Sequence, residues 1–244
     1  DWLDSKKFED NKKNLNALKD YDGIIVPGGF GSSGVEGKIL AANFARVNKI
    51  PYLGLCYGLQ LAVIEFARNV CGLKDAHTTE VNPKTSNPVI DVQPAQKEIL
   101  EKSMYGGTMR LGAYAALLKD KTQVQKLYEE TGRLNEDTKK LKELMKNKSE
   151  SFRIGILEKG KKIVLERHRH RYEANPKYVE ILEKNGLVFS GYYVRADGTK
   201  LMEYIELPGH PFFIGTQAHP EFKSRLGNPS PFFYGFVKAC GNRK

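Results

Sequence analysis

The residues most able to do chemistry are a cysteine flanked by glycines, in the stretch Gly54-Leu55-Cys56-Tyr57-Gly58. An apolar run precedes this cysteine and a segment with helical periodicity follows it, which predicts a tight strand-to-helix turn that exposes the central side chain. The amide groups at the start of the following helix favour a thiolate there. We therefore predict that Cys56 is a nucleophile with a lowered pKa, against the alternative of a buried core cysteine.

A cysteine nucleophile needs a base and a group that orients the base, and both usually lie far away in the sequence. His219 and Glu221 follow the apolar run PFFIG and are two residues apart, so an extended backbone would direct both side chains to one side. Glu221 would then hold one imidazole nitrogen while the other faces Cys56. An H-P-E triplet alone is weak, but with the cysteine turn it predicts a catalytic triad.

Attack on an amide also needs hydrogen-bond donors for the oxyanion. The backbone N–H of Gly29, on the loop after the neighbouring strand, and that of Tyr57 are the candidates. Gly29 suits this role because a residue without a side chain lets its backbone approach a substrate closely.

The elements around these residues alternate between strand and helix. Strands are predicted at Tyr21–Val26 and Pro51–Leu55, and helices at Gly37–Lys49 and Gly58–Val70. Strand, helix, strand, helix with short connections predicts an α/β fold with a parallel sheet and helices on its faces.

The rest of the chain is interpreted in the same way, without repeats or low-complexity linkers, as part of one domain over residues 1–244. The predicted elements are helical periodicity at Asp4–Asp20, a looped stretch at Pro83–Tyr114, a helical segment at Gln123–Lys148, strands at Phe152–Leu157 and Lys162–Arg171, a helix at Tyr178–Asn185, a hairpin of Leu187–Val194 and Leu201–Leu207, a strand at Pro211–Gln217 and a helix at Pro231–Ala239.

Composition narrows the class of protein. The charge of +10 is spread over isolated lysines and not interleaved with aromatics, so we expect no nucleic-acid partner. No apolar run has the length of a bilayer, and we expect a cytoplasmic protein without a membrane partner. The three cysteines, Cys56, Cys71 and Cys240, are too scattered for a disulfide framework, and no histidine spacing is typical of zinc, so we expect no metal.

Two glycine-rich patterns resemble nucleotide loops. Residues 29–34 fit G-x-G-x-x-G, but the next strand ends at Cys56 instead of an acidic residue for a ribose. Gly37-Lys38 resembles the end of a P-loop, but Ile39 occupies the position of the magnesium-binding hydroxyl. We favour neither nucleotide interpretation.

The motifs PGGFG, GLCYGLQ and HPE, in this order and spacing, resemble the class I, or triad, glutamine amidotransferases. GVEGK at 34–38, IEFARNV at 64–70, GGTMRLG at 106–112 and ERHRHRYE at 166–173 are similar to the glutaminase domain of the CTP synthase family. The resemblance implies an open, mostly parallel, flavodoxin-like sheet flanked by helices. It also implies hydrolysis of glutamine through a cysteine thioester.

The resemblance further implies the roles of individual residues. Cys56, His219 and Glu221 match the catalytic triad. The positions that match L-glutamine contacts are Gly29, Tyr57, Gly58, Leu59, Gln60, Glu80 and Arg171. Because glutamine is a zwitterion at its α-carbon, its site needs one fixed anion and one fixed cation, which fits Glu80 and Arg171.

Residues 167–171 alternate between arginine and histidine. In a strand, Arg167, Arg169 and Arg171 would share one face, and His168 and His170 the other. For Arg167 and Arg169 we prefer a phosphate-binding or interface role to a glutamine contact.

The chain departs from the family pattern in several places. Residues from about 130 to 162 form a longer connection than usual, which we interpret as an inserted surface segment, and Tyr57 replaces a small aliphatic residue. The usual first strand and helix, and the synthetase domain, are not in this sequence.

The resemblance therefore implies no cofactor in this domain, but ATP and Mg²⁺ in a synthetase domain that aminates UTP to CTP, and GTP as activator. It also implies homo-oligomers formed through that domain. Two alternatives are a free-standing hydrolase of γ-glutamyl compounds and a non-catalytic regulatory or assembly module. The intact set of Cys56, His219 and Glu221 disfavours the second alternative.

Overall fold

The computed structural model describes residues 1–92, 109–146 and 153–243. Helices α1 to α7 span Lys6–Asp10, Val35–Val47, Tyr57–Asn69, Gln123–Glu130, Arg133–Leu144, Pro176–Lys184 and Pro231–Gly241, and 3₁₀ helices span Lys12–Asp20 and Pro220–Phe222. Strands β1 to β10 span Ile24–Val26, Tyr52–Leu55, His77–Thr78, Pro88–Asp91, Arg110–Leu118, Ile163–His170, Glu173–Ala174, Val188–Val194, Lys200–Glu206 and Phe213–Thr216.

Seven of these strands form one sheet in the order β1-β2-β10-β9-β8-β5-β6. The pairs β1–β2 and β2–β10 are parallel, and the four following pairs are antiparallel. Since β9 and β5 are the reversed strands, five of the seven described strands run in one direction. Strands β3, β4 and β7 form a smaller sheet.

Helices cover both faces of the large sheet, and neighbouring residues of β2 show this directly. Tyr52 packs into a core with residues of α2 and α3. Leu53 and Leu55 point to the other face, into a core with residues of α4 and α7. The predicted α/β class, with a sheet between layers of helices, is confirmed.

Local capping explains where several of the helices begin. Thr122, Asn175 and Ser230 precede α4, α6 and α7, and each side chain accepts a hydrogen bond from a backbone N–H of the first turn. A proline follows Asn175 and Ser230 as the first helical residue, where its missing N–H costs nothing.

The structure corrects three of the predicted elements. Residues 153–157 are not a strand, because Gly155 has φ +67° and its Cα packs so closely on the Val194 carbonyl that a Cβ would lie 2.2 Å away. The predicted loop at 83–114 contains β4 and the start of β5 at Arg110, while residues 93–108 lie outside the described ranges. The helical segment at 123–148 is divided into α4 and α5 by Gly132, at φ +72°.

The remaining predictions agree with the structure to within a few residues. Helices α2 and α3, the hairpin of β8 and β9, strands β6 and β10 and helices α6 and α7 all occur where the sequence indicated. The long connection before β6 contains helix α5 and the turn that follows this helix. That the connection is an insertion relative to the family stays a prediction.

Candidate active site

Cys56 occupies the tight turn between β2 and α3. It has φ +50°, a backbone conformation that residues other than glycine rarely adopt. A Cβ on Gly54 would lie 2.7 Å from the Gly58 carbonyl group, and a Cβ on Gly58 would lie 2.1 Å from the Val26 carbonyl oxygen. The two glycines are therefore required by the turn itself, as the sequence indicated.

The predicted base lies beside this turn because β10 pairs with β2. The Cys56 N–H donates to the carbonyl of Thr216 at 2.7 Å, which brings the residues after β10 next to the thiol. His219 Nδ1 lies 2.6 Å from Glu221 Oε1, and the His219 N–H donates to the Arg167 carbonyl at 2.8 Å. Glu221 thus orients the imidazole, and strand β6 fixes the backbone of His219.

Cys56 and His219 line the same cavity, which holds about 510 Å³. Of the predicted residues, it is lined by Gly29, Cys56, Gln60, Glu80, Arg171 and His219. The other lining residues are Gly28, Phe30, Met109, Arg169, His170 and Tyr172. Tyr57, Gly58, Leu59 and Glu221 do not line it. The first three form the buried first turn of α3.

The thiol is not hydrogen-bonded to the base in this state. Among the described residues, the side chain within hydrogen-bonding distance of Cys56 Sγ is Gln217, whose Nε2 lies 3.7 Å away, and no hydrogen bond joins Sγ to the His219 ring. Gly28 faces the imidazole, since a Cβ there would lie 2.7 Å from its Cε1.

The protonation state of Cys56 corrects the sequence-based expectation. Burial raises the pKa of the Cys56 thiol to about 12, and the charges of Glu173 and Glu221 raise it further. Hydrogen bonds from the Tyr57 N–H and from Gln217 lower it, but by less. The predicted low pKa is wrong for this state, because desolvation outweighs the helix N-terminus.

The loop after β1 is held by two side chains from other elements. The Gly31 N–H donates to Glu80 Oε1 at 3.0 Å, and the Tyr57 hydroxyl donates to the Gly31 carbonyl at 2.6 Å. Gly31 has φ +73°, so the loop turns sharply at this residue. The loop held in this way contains Gly29, which lines the cavity together with Glu80 and Cys56.

Gln60 and Gln217 connect the elements around the cavity. Gln60 Nε2 donates to the Tyr172 carbonyl at 2.9 Å and to Gln217 Oε1 at 3.2 Å. The first contact ties α3 to the segment that carries Arg171. Sequence reasoning missed Gln217, although its position two residues before His219, at the end of β10, was a usable signal.

The alternation predicted for β6 is confirmed. Arg167 and Arg169 are exposed, whereas His168 and His170 are buried. Their rings lie 2.9 Å apart, from His168 Nδ1 to His170 Nε2. Burial and the neighbouring Arg110 charge hold both histidine pKa values well below the usual range, so both rings are neutral.

A buried ion network lies behind these histidines, and sequence reasoning missed it because it assigned Arg110 to a loop. Arg110 contacts Glu173 Oε1 at 3.3 Å and Glu203 Oε1 at 2.7 Å, and His168 Nε2 lies 3.3 Å from Glu203 Oε2. Burial raises the pKa of Glu173 to about 8, although the Arg110 charge lowers it. Because His170 also lines the cavity and contacts His168, this network lies behind the cavity wall.

The described parts of the chain hold no group of three His, Cys, Asp or Glu side chains arranged to bind a metal ion. Within the same ranges, every helix is too short or too polar to cross a membrane.

Comparison with known proteins identifies the family of this chain. The class-I glutamine amidotransferase family model matches residues 2–239. A CTP synthase of Thermococcus gammatolerans is 46% identical over 243 residues, covering 100% of this chain and 38% of the relative. A CTP synthase of Sulfurisphaera tokodaii is 48% identical over 239 residues, covering 98% and 38%.

A solved structure is similar as well. The Trypanosoma brucei CTPS glutaminase domain with bound acivicin superposes with a TM-score of 0.79 at 34% identity, over 100% of this chain and 80% of that one. The chain spans about 38% of the length of the curated relatives it matches. From the family match, the identities and this structural similarity, the chain belongs to the class-I glutamine amidotransferases, as a glutaminase domain of the CTP synthase type.

Proposed function

We propose that Cys56, His219 and Glu221 hydrolyse the side-chain amide of L-glutamine to glutamate and ammonia. The observation that carries the proposal is the juxtaposition of a cysteine at a positive-φ turn with a glutamate-oriented histidine on one cavity. This is the arrangement that nucleophilic catalysis of acyl transfer requires.

In the proposed reaction, Cys56 Sγ attacks the amide carbon as its proton passes to His219 Nε2. Glu221 accepts from Nδ1–H, which leaves Nε2 free to take that proton. The raised pKa of the free thiol fits this scheme, because proton transfer then depends on a bound substrate that brings sulfur and base together.

The backbone N–H groups of Gly29 and Tyr57 stabilise the oxyanion of the tetrahedral intermediate. His219 returns the proton to the leaving ammonia, and a γ-glutamyl thioester remains on Cys56. Water activated by His219 then hydrolyses the thioester, which releases glutamate and restores the thiol.

The cavity suits a free amino acid. Its volume of about 510 Å³ lies in the range of small-molecule sites. We propose that the Glu80 carboxylate binds the α-ammonium and the Arg171 guanidinium the α-carboxylate, since both residues line the cavity. Gln60 contacts the substrate from α3, and Tyr57, Gly58 and Leu59 contribute through the backbone of the turn.

We further propose that the ammonia is used by a synthetase domain outside this chain. That domain would use ATP and Mg²⁺ to aminate UTP to CTP, with GTP as activator, and would form homo-oligomers in the cytoplasm. The supporting observation is that the similar CTP synthases extend well beyond the 38% of their length that this chain matches.

The direct test is Cys56→Ala in the complete enzyme. We expect glutamine-dependent CTP formation to be abolished and ammonia-dependent formation to be retained, because the variant removes the sulfur nucleophile alone. Cys240→Ala, at a half-buried cysteine of α7 outside the cavity, is the matched control and should keep both activities. Retained glutamine use in Cys56→Ala would overturn the assignment.

A further inference from the structure

Helix α5, which the sequence suggested was a surface feature, has one buried polar face. Arg133, Asp137 and Leu141 recur every four residues and are buried, at 3%, 0% and 6% exposure. This face packs against β6 and against residues 219–228, which we name the triad segment because it begins with His219 and contains Glu221. A helix that buries an arginine and an aspartate this completely needs partners for both charges.

Asp137 provides the first connection. Its carboxylate accepts from Lys223 Nζ, at 2.9 Å to Oδ1 and 3.1 Å to Oδ2, and from the backbone N–H of Leu165 at 3.0 Å. Lys223 Nζ also donates to the Leu165 carbonyl and lies 3.6 Å from Glu166 Oε1. One buried carboxylate thus ties the middle of the triad segment to strand β6.

Arg133 provides the second connection. Its NH2 group donates to the carbonyls of Lys223 at 2.7 Å and Asn228 at 3.0 Å, so it bridges two points of the triad segment. The carboxylate of Glu136, one helical turn after Arg133, accepts a hydrogen bond from the Asn228 side-chain amide at 3.0 Å. The two N–H bonds of this one guanidinium nitrogen of Arg133 allow a single side chain to hold both carbonyls.

These contacts surround a residue that has little support of its own. The Glu221 side chain is 43% exposed, and His219 is its side-chain partner among the described residues. Burial raises the pKa of the Glu221 carboxyl, but the His219 hydrogen bond holds it below its usual value. The backbone around Glu221 is fixed by β6 at His219 and by α5 at Lys223 and Asn228.

We propose that Arg133 and Asp137 are positioning residues for the His219–Glu221 pair. They hold the backbone that carries Glu221, and Asp137 also holds the Lys223 ammonium. Lys223 lies two residues from Glu221, and without Asp137 its ammonium could compete with His219 for the Glu221 carboxylate. The inference rests on the proposed glutaminase function, because it concerns the geometry of that reaction.

The test is steady-state glutamine hydrolysis by Asp137→Asn in the complete enzyme. We expect kcat to fall about 10-fold, since small displacements of catalytic groups have large rate effects. KM for glutamine should stay within about 2-fold, since the proposed contacts to its α-ammonium and α-carboxylate come from Glu80 and Arg171, outside α5 and the triad segment. Glu143→Gln is the matched control, because it removes one negative charge from the exposed side of the same helix.

A second variant guards against simple misfolding. Arg133→Lys keeps the charge, but its side chain ends one bond short of the nitrogen that donates to both carbonyls, so its kcat should fall with KM unchanged. Thermal unfolding and ammonia-dependent activity identify variants that are folded. A folded Asp137→Asn or Arg133→Lys with the kcat of the wild type overturns the proposal, as does an equal loss in Glu143→Gln. An inactive wild type would instead contradict the proposed function itself.

Discussion

The two sides of strand β10 hold their functional groups by different physical means. On the parallel side, β1 and β2 place Cys56 through backbone geometry, with glycines where a Cβ would collide with a neighbouring carbonyl. On the antiparallel side, Arg110 of β5 binds Glu203 of β9, 93 residues further along the chain, and Glu173 of β7, 63 residues further along. The first side is specified locally, and the second is specified by charges that meet only in the folded protein.

The largest effect should come from the antiparallel side. Arg110→Met leaves Glu173 and Glu203 buried without their cation, and removing one partner of a buried ion pair costs about 3–5 kcal/mol. Urea unfolding would measure this loss.

A triple variant sharpens the interpretation. Arg110→Met combined with Glu173→Gln and Glu203→Gln removes the guanidinium and both ionisable carboxyl groups, and it should recover part of the loss, because the cause is buried carboxyl groups without their cation. A loss below about 1 kcal/mol in Arg110→Met would contradict a structural role for the network.

The matching change on the parallel side is Gly58→Ala. Its Cβ would lie 2.1 Å from the Val26 carbonyl oxygen, which belongs to backbone and cannot rotate away. We expect a loss of about 2–3 kcal/mol in stability and a large loss of glutamine hydrolysis, because α3 and Cys56 must move.

The control for that change is Gly241→Ala, since a Cβ at Gly241 has open space around it. Near-normal stability in Gly58→Ala would show that the turn adapts, and that the local description of the parallel side is too rigid.

How far the sequence predicts this molecule follows the same division. The elements around Cys56 and the pairing of His219 with Glu221 were predictable, because glycine spacing and strand periodicity are local signals. The Arg110 network, Gln217 and the buried face of α5 were not. Their partners lie on elements that are distant in the sequence, and nothing near Arg110 or Asp137 in the sequence signals burial.

The expected pKa of Cys56 failed for the same reason. The helix N-terminus is a local feature that lowers the pKa, but the desolvation that raises it depends on how the whole chain closes over the thiol. A sequence pattern locates the sulfur without setting its protonation state.

The smallest expected effect is a change in the slope of stability against pH, and it concerns the antiparallel side, which holds Glu173. The pKa of Glu173 is raised from its ordinary 4.5 to about 8, so the folded protein keeps a proton that the unfolded chain has lost. Stability from this group is full below pH 4.5 and is lost as pH rises towards 8, by at most about 1.4 kcal/mol per pH unit. Below pH 6.5, His168 and His170 act in the opposite sense, because their lowered pKa values disfavour the folded state as pH falls.

The informative window is therefore pH 6.5 to 8, where wild-type stability should fall with pH and Glu173→Gln should flatten the slope. The glutamine keeps the shape and an oxygen for Arg110 but cannot release the proton. Glu180→Gln, at an exposed glutamate whose pKa is already low, should leave the wild-type slope unchanged. Equal slopes in wild type and Glu173→Gln would mean that the antiparallel side holds its carboxylates charged, and that Arg110 alone compensates for their burial.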